Sequence, residues 1–118
     1  MSVTAKEEIL GRLAVLIGRI DEKLVAYYAA QYDFVKPPEL KVKLGSRYAK
    51  VTRASGKLVP VESVYFFVDL SNGDLLKAAS WKAPAKGARA SLFDEDLGIS
   101  AVGPHGAGYA GVNYDGAW

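Results

Sequence analysis

The sequence predicts an α+β fold in which a long N-terminal helix packs on a four-stranded antiparallel β-meander, followed by an irregular, glycine-rich C-terminal tail. Two observations indicate this fold. The first is a long stretch with apolar residues at helical spacing, and the second is a series of short stretches in which apolar and polar residues alternate. The chain has 118 residues, which corresponds to one domain. We expect a single α+β domain over residues 1–109 and a tail over residues 110–118.

The helix is expected over residues 4–32. Its apolar residues recur at intervals of three and four, which is typical of a helix with one buried face. They are Ile9, Leu13, Leu16, Ile17, Ile20, Leu24, Tyr27 and Tyr28. Thr4-Ala5-Lys6-Glu7 matches a capping box, and Pro37-Pro38 ends any helix before the first strand. The wide apolar stripe favours core packing over a partner-binding helix. A break near Asp21-Glu22, giving two helices, is the alternative.

The first two strands are expected over residues 40–44 and 47–53. In LKVKL the apolar and basic residues alternate, so that Leu40, Val42 and Leu44 face inward. Gly45-Ser46 forms a turn. In the second strand, RYAKVTR, Ala49 and Val51 share one face, and Tyr48, Lys50 and Thr52 share the other.

The third and fourth strands are expected over residues 61–70 and 75–79. Val64, Phe66, Val68 and Leu70 are assigned to one face of the third strand, and Tyr65, Phe67 and Asp69 to the other. A strand with aromatic residues on both faces is typical of the centre of a sheet. Asn72-Gly73 supplies the pair of residues that a tight hairpin prefers.

After Ser80 the alternation stops. Residues 81–90 are interpreted as a basic loop that carries Trp81, and Leu92-Phe93 as an apolar anchor that returns the chain to the core. The glycine-rich stretch from residue 98 to residue 118, which includes the tail, contains Tyr109, Tyr114 and Trp118 but too few apolar residues to fold alone. It either wraps the domain through these aromatic residues or becomes ordered on a partner.

The composition excludes several kinds of protein. There is no cysteine, which excludes disulfides, thiolate nucleophiles and cysteine-based zinc sites. No apolar run approaches the ~20 residues of a membrane span, and the N-terminus does not match a signal peptide. We therefore expect a soluble, cytoplasmic protein without a membrane partner.

The positive charge is concentrated in one quarter of the chain. Residues 34–60 contain seven basic residues and one acidic residue, a net charge of +6, whereas the whole chain has a net charge of +2. Such a local positive field is typical of a surface that attracts polyanions.

A basic, tryptophan-bearing surface is the best candidate site. Lysine and arginine neutralise phosphates, and a tryptophan can stack on a base. Our candidate nucleic-acid-binding residues are Lys50, Arg53, Lys77, Trp81, Lys82, Lys86 and Arg89. Lys41, Lys43 and Arg47 on adjacent strands, with Tyr48, Tyr65 and Phe67, would extend this platform. In the alternative interpretation, the strand lysines only provide solubility and edge protection, and Trp81 closes one end of the core.

No pattern indicates catalysis, a cofactor or a metal. His105 is the only histidine, and no nucleophile motif accompanies any serine. Neither AKGARAS nor GPHGAG matches a phosphate-binding loop, and the spacing of Asp94-Glu95-Asp96 matches no calcium loop. We expect a protein that is not an enzyme, with no cofactor and no metal site.

Part of the chain resembles a known group of proteins. Four features carry the resemblance: RYAKVTR, SVYFFVDLSNGDLLKAASWKAPAKGARAS, LFDED and GISAVGPHGAGY. From about residue 47 to residue 109 the sequence resembles small bacteriophage and viral-metagenome proteins of unassigned function. The resemblance implies a phage-encoded accessory protein, located in the cytoplasm of the infected host cell or in the virion. It implies no activity and no catalytic residue.

Three functions remain open at this point. The first is nucleic-acid binding, which we place first because of the charge concentrated in residues 34–60. The second is binding to a protein, either as an inhibitor of a host factor or as a small virion component. The third is binding of a nucleotide or another anion near Lys82, Lys86 and Arg89. The sequence does not determine the oligomeric state.

Overall fold

The computed structural model describes residues 5–31, 37–55, 61–103 and 106–107. It contains one long helix, α1, and a five-stranded antiparallel sheet in which strands that are consecutive in the chain are also neighbours. The elements are α1 (Ala5–Gln31), β1 (Glu39–Leu44), β2 (Tyr48–Ser55), β3 (Val61–Asp69), β4 (Asp74–Ala78) and β5 (Pro84–Ser91). A short 3-10 helix (Ile99–Ala101) and a two-stranded hairpin of β6 (Val102–Gly103) and β7 (Gly106–Ala107) follow.

The predicted helix and antiparallel meander are confirmed, but the sheet has five strands instead of four. Residues 84–90, which belong to the loop interpreted from the sequence, pair with β4 as most of β5. This strand consists mainly of small residues, and small or glycine residues give little strand signal. The predicted tail, residues 110–118, and His105 lie outside the described residues.

Helix α1 is continuous through Asp21-Glu22, so the alternative of two helices is wrong. It packs one apolar stripe on one face of the sheet, here called the inner face. The buried stripe residues are Ile9, Leu13, Leu16, Ile20 and Leu24. Thr4, the predicted cap residue, lies outside the described residues. Within the described ranges, no helix is both long and apolar enough to cross a membrane.

The inner face of the sheet provides the other half of the core. Its buried residues come from the three central strands: Ala49, Val51, Phe66, Val68 and Leu75. A segment that follows β5, residues 92–103, is here called the closing segment. Its residues Leu92, Leu97, Ile99 and Val102 join the same core. Since β7 also lies against β3 and β4, the β4–β5 side of the inner face is well covered.

A β-bulge interrupts the alternation of β3. Val51 lies opposite Phe66, but the next residue, Thr52, lies opposite Val64, so Tyr65 is an extra residue in β3. Tyr65 and Phe66 both enter the core, and the Tyr65 hydroxyl donates a hydrogen bond of 2.6 Å to the carbonyl oxygen of Gly103. The prediction that Val64 shares a face with Phe66 is therefore wrong, because an inserted residue reverses the alternation before it.

The turn between β3 and β4 is fixed by side chains. Asp69 accepts hydrogen bonds from the Ser71 amide at 2.8 Å and from the Ser71 hydroxyl at 2.6 Å, and Asn72 accepts one from the Asp74 amide at 2.9 Å. Burial alone would raise the pKa of Asp69, but the hydrogen bonds from Ser71 and the nearby Arg47 lower it below its ordinary value. The turn contains the predicted Asn72-Gly73 pair, and Gly73 has a φ of 81°.

Candidate nucleic-acid interface

The face of the sheet opposite α1, here called the outer face, changes from basic to apolar across the strands. One row of residues that lie opposite one another crosses all five strands: Lys43, Lys50, Phe67, Leu76 and Ala88. The lysines belong to β1 and β2, and the apolar residues belong to the other three strands. The register of the meander therefore places Lys43 and Lys50, two of the basic residues of the segment 34–60, side by side at one side of this face.

Trp81 lies at the tip of the β4–β5 hairpin. Ser80 holds this tip, since its hydroxyl accepts hydrogen bonds from the amides of Lys82 at 3.3 Å and Ala83 at 3.2 Å. Trp81 is 43% exposed. The ammonium nitrogens of Lys50 and Lys43 lie 4.2 Å and 5.1 Å from the centre of a Trp81 ring. Trp81 is thus a surface residue held against the basic side of the outer face, and the interpretation that it closes the core is wrong.

Two more aromatic rings lie beside these lysines. Phe67 is buried, and its ring and the Tyr48 ring form a T-shaped contact with a centroid distance of 6.3 Å. The ammonium nitrogen of Lys50 lies 5.9 Å from the Phe67 ring centre, and the Arg47 guanidinium lies 5.1 Å from the Tyr48 ring centre. The cations therefore lie over aromatic rings, an arrangement in which each cation is attracted by the ring face.

An open hollow of about 460 Å³ lies beside these lysines and aromatic rings, and the turn between β1 and β2 forms part of its wall. We call it the cationic hollow. Its charged and aromatic lining residues are Lys43, Arg47, Tyr48, Lys50, Phe67 and Lys82. Four of these six are cations and none is an acid, so the hollow favours an anionic ligand.

Two carboxylates at the border of the hollow already contact two of its cations. Glu62 lies 2.8 Å from the Lys43 ammonium and accepts a hydrogen bond of 2.7 Å from the Thr52 hydroxyl. The hydrogen bond from Lys43, followed by that from Thr52, lowers the pKa of Glu62. Asp69 lies 3.7 Å from the Arg47 guanidinium. Among the described residues no carboxylate pairs with Lys50 or Lys82, and these two lysines are the hollow's readiest partners for an incoming anion.

The structure divides the seven candidate residues. It brings Lys50, Trp81 and Lys82 together at the hollow. Arg53 belongs to the inner face, where its guanidinium donates a hydrogen bond of 3.0 Å to the hydroxyl of Tyr28 on α1.

The other three candidates lie on the last two strands of the sheet and do not line the hollow. They are Lys77 on β4, and Lys86 and Arg89 on β5. The Arg89 guanidinium donates to the carbonyl oxygen of Gly87 at 3.2 Å.

The platform inferred from the sequence also changes in membership. Tyr65, expected beside Tyr48 and Phe67, is buried in the core because of the bulge. Lys43 and Arg47, which the sequence placed only on adjacent strands, line the hollow directly. The alternation of LKVKL already assigned Lys43 to the outward face. Its position opposite Lys50 depends on the register between β1 and β2, which the sequence did not reveal.

The acidic cluster after β5 has a structural use. Asp94 accepts a hydrogen bond from the Ser91 amide at 3.0 Å, and Asp96 accepts one from the Gly98 amide at 2.9 Å and one from the Ser100 amide at 3.3 Å. The pKa of Asp96 is lowered, first by the hydrogen bond with Ser100 and then by backbone amides. In the part of the chain that the structure describes, no group of three or more histidine, aspartate or glutamate side chains is arranged to hold a metal ion.

A comparison with known protein families identifies the family of this chain. The model of a family of unknown function, DUF7717, matches residues 2–114, nearly the whole sequence and including α1. The chain belongs to this family. No curated protein and no solved structure matches the chain. The bacteriophage origin implied by the resemblance stays a prediction.

Proposed function

We propose that this member of DUF7717 binds nucleic acid through Trp81 and the cationic hollow. The observation that supports the proposal most directly is the exposed Trp81 side chain, with two ammonium groups within 5.1 Å of its ring centre. A nucleotide offers a phosphate and a flat base. At this surface a lysine can bind the phosphate and Trp81 can stack on the base of the same nucleotide.

The four cations of the hollow differ in how readily they can bind phosphate. Lys50 and Lys82 contact no described carboxylate, so a phosphate can approach them without displacing a protein anion. Lys43 and Arg47 would share their charge with Glu62 and Asp69. We assign the main phosphate contacts to Lys50 and Lys82 and a supporting role to the other two. Trp81 would stack on a base.

A second candidate function is binding of a free nucleotide or a similar small anion. The hollow, at about 460 Å³, falls within the ~300–1,000 Å³ that is usual for small-ligand sites. A mononucleotide that binds as tightly as an oligonucleotide would favour this function. The non-enzymatic, phage-encoded accessory role, and a location in the cytoplasm of an infected host, are further proposals that rest on the sequence resemblance and composition.

The test is a titration of fluorescein-labelled single-stranded and duplex oligonucleotides, followed by fluorescence anisotropy over a series of salt concentrations. We expect binding that weakens linearly in log–log form, with a slope of about −0.7 for each phosphate contacted on a single strand. Lys82→Glu should weaken binding about tenfold or more, since it reverses a charge within the hollow. Trp81→Ala should cost ~1–3 kcal/mol, the usual contribution of one stacked base.

Two matched variants control for general effects. Lys86→Glu makes the same charge change at an exposed lysine outside the hollow, and Phe93→Ala removes an exposed aromatic residue that also carries a cation, Arg12, at 4.7 Å. Both should bind nearly as the wild type. Equal losses for Lys82→Glu and Lys86→Glu, or binding that does not respond to salt, would rule the proposed surface out.

A further inference from the structure

Strand β1 presents an apolar row, and beyond Leu40, which packs against the core, the core does not cover it. Leu40, Val42 and Leu44 face the α1 side, as the sequence predicted, but Val42 is 42% exposed and Leu44 is 58% exposed. Between this row and α1 runs an open apolar groove of about 490 Å³, lined by Leu10, Leu13, Ala14, Ile17, Val42 and Leu44. Exposed apolar side chains that lie side by side along a groove offer an apolar surface to a partner.

The backbone of β1 is also open on one side. β1 is the first strand of the sheet, and among the described residues no strand pairs with its outer edge. The N–H and C=O groups along such an edge can pair with a further strand. The apolar groove and the unpaired edge are adjacent, so a strand added beside β1 would use both.

Lysines on an edge strand often prevent such pairing, but here their charge is largely balanced. The side chains of β1 that point to the outer face are Glu39, Lys41 and Lys43. The carboxylate of Glu62 lies 2.8 Å from the ammonium of Lys43. These four side chains together carry no net charge, so repulsion between two copies of this edge is weak.

We propose that a second copy of this chain pairs antiparallel with β1, about a two-fold axis that passes through the Lys41 pair. Residues that lie opposite one another in a sheet must share a face, which restricts a two-fold pairing to an axis at a residue. An axis at Val42 would place Lys41 opposite Lys43. An axis at Lys41 places Glu39 of each copy opposite Lys43 of the other, and Leu40 opposite Val42 on the inner face.

Only the axes at Lys41 and Val42 pair five residues of β1 with one another, and of these two registers the charges and the apolar row both favour the one at Lys41. It forms two Glu–Lys pairs at the cost of one Lys41–Lys41 contact on the solvent-exposed face, and opposite charges across strands are stabilising by a few tenths of a kcal/mol up to ~1 kcal/mol. A stable interface buries about 1,200 Å² or more. One short strand does not offer that area, so Leu10, Ala14 and Ile17 on the exposed flank of α1 would have to contribute.

The pairing would also join two outer faces. A two-fold axis perpendicular to the sheet keeps both outer faces on the same side. The two β2 strands would then be three strand spacings apart, about 14 Å. Two cationic hollows would face the same direction across a ten-stranded sheet. The dimer itself does not depend on the proposed nucleic-acid binding.

The experiment measures mass in solution, by sedimentation velocity and native mass spectrometry of the full chain from about 1 μM to about 1 mM, the range in which modest interfaces associate. We expect a dimer of the wild-type chain. Glu39→Lys and Lys43→Glu each place like charges opposite one another, so each variant alone should be monomeric. In an equimolar mixture of the two variants, residue 39 of each copy lies opposite a residue 43 of opposite charge. The mixture should therefore form mixed dimers.

Two further variants serve as controls for the β1 interface. Lys86→Glu, the same charge change on β5, should leave the dimer intact, and Val42→Asp should abolish it. A wild-type chain that stays monomeric at the highest concentration overturns the proposal. This holds whether the edge of β1 is covered by other residues of the same chain or by a different protein. A dimer that persists in both single-charge variants places the interface elsewhere. Circular dichroism of each variant separates loss of pairing from loss of folding.

Discussion

The two sides of the inner face are completed in different ways. On the β4–β5 side, the closing segment brings Leu92 and Val102 into full burial over the sheet. On the β1 side, Val42 and Leu44 have the same apolar character and the same orientation, yet they remain exposed. Residues of the same type therefore serve core formation at one edge and are available for an interaction at the other. The exposure of a residue, and not its hydrophobicity, decides what a substitution there will cost.

The largest difference between the two sides is expected for one pair of identical substitutions. Leu92→Ala would leave a cavity in the covered side and should lower the free energy of unfolding by ~2–5 kcal/mol. Leu44→Ala, on the open side, should change it by about 0.5 kcal/mol or less in a monomer. Urea denaturation of the two variants at low protein concentration compares them. Similar losses would mean that β1 is also part of a closed core.

A smaller effect is expected where the closing segment approaches the sheet most tightly. Gly98 has a φ of 79°, and a Cβ atom at this position would lie 2.6 Å from Cδ1 of Leu75. Gly98→Ala should therefore lower stability by ~1–3 kcal/mol, through backbone strain and displacement of Leu75. Gly11→Ala is the control, since a Cβ atom added at Gly11 on α1 would point into open space. Thermal unfolding of both variants tests whether the strain is specific to the covered side.

The smallest effect is expected from acid. The pKa of Asp96 is held below its ordinary value in the folded chain, mainly by Ser100. A lowered pKa contributes stability that is present above the unfolded-state pKa and is lost as the pH falls through the folded-state value. Asp96→Asn should therefore reduce the decline in stability below about pH 4. Urea midpoints of the wild type and the variant at pH 7 and at acidic pH measure this decline in stability. An unchanged decline in the variant would show that other carboxylates cause the loss.

The sequence predicted those parts of the fold in which local pattern and tertiary structure agree. The stripe from Ile9 to Leu24 predicted α1, and the alternation around Val42, Val51 and Phe66 predicted the first three strands. β5 was missed because its alanines and glycine pack against β4 without an alternating pattern of their own. The bulge was missed because pairing with Thr52, and not the local sequence, determines which residue of β3 is the extra one.

The candidate site was predicted only in part, because its membership depends on strand register as well as on residue type. Trp81, Lys82 and Lys50 were identified by residue type, and the structure brings them together. Arg53 was assigned to the same surface although it follows Lys50 by three residues, an odd number, which places it on the opposite face of the strand. Lys43 and Arg47 belong to the hollow because of the β1–β2 register and turn. Such long-range geometry is a property of the folded chain that residue types alone do not determine.

The bulge at Tyr65 has a consequence for changes in chain length. Removing one residue from a central strand usually reverses the faces of everything beyond it. Here the residues on either side of Tyr65 are already in register with β2, since Val64 lies opposite Thr52 and Phe66 lies opposite Val51. A chain that lacked Tyr65 would therefore keep Glu62 beside Lys43 and Phe66 beneath α1. It would lose the buried Tyr65 ring and its hydrogen bond to Gly103, so the deletion would cost core packing while leaving β2 and β3 in register.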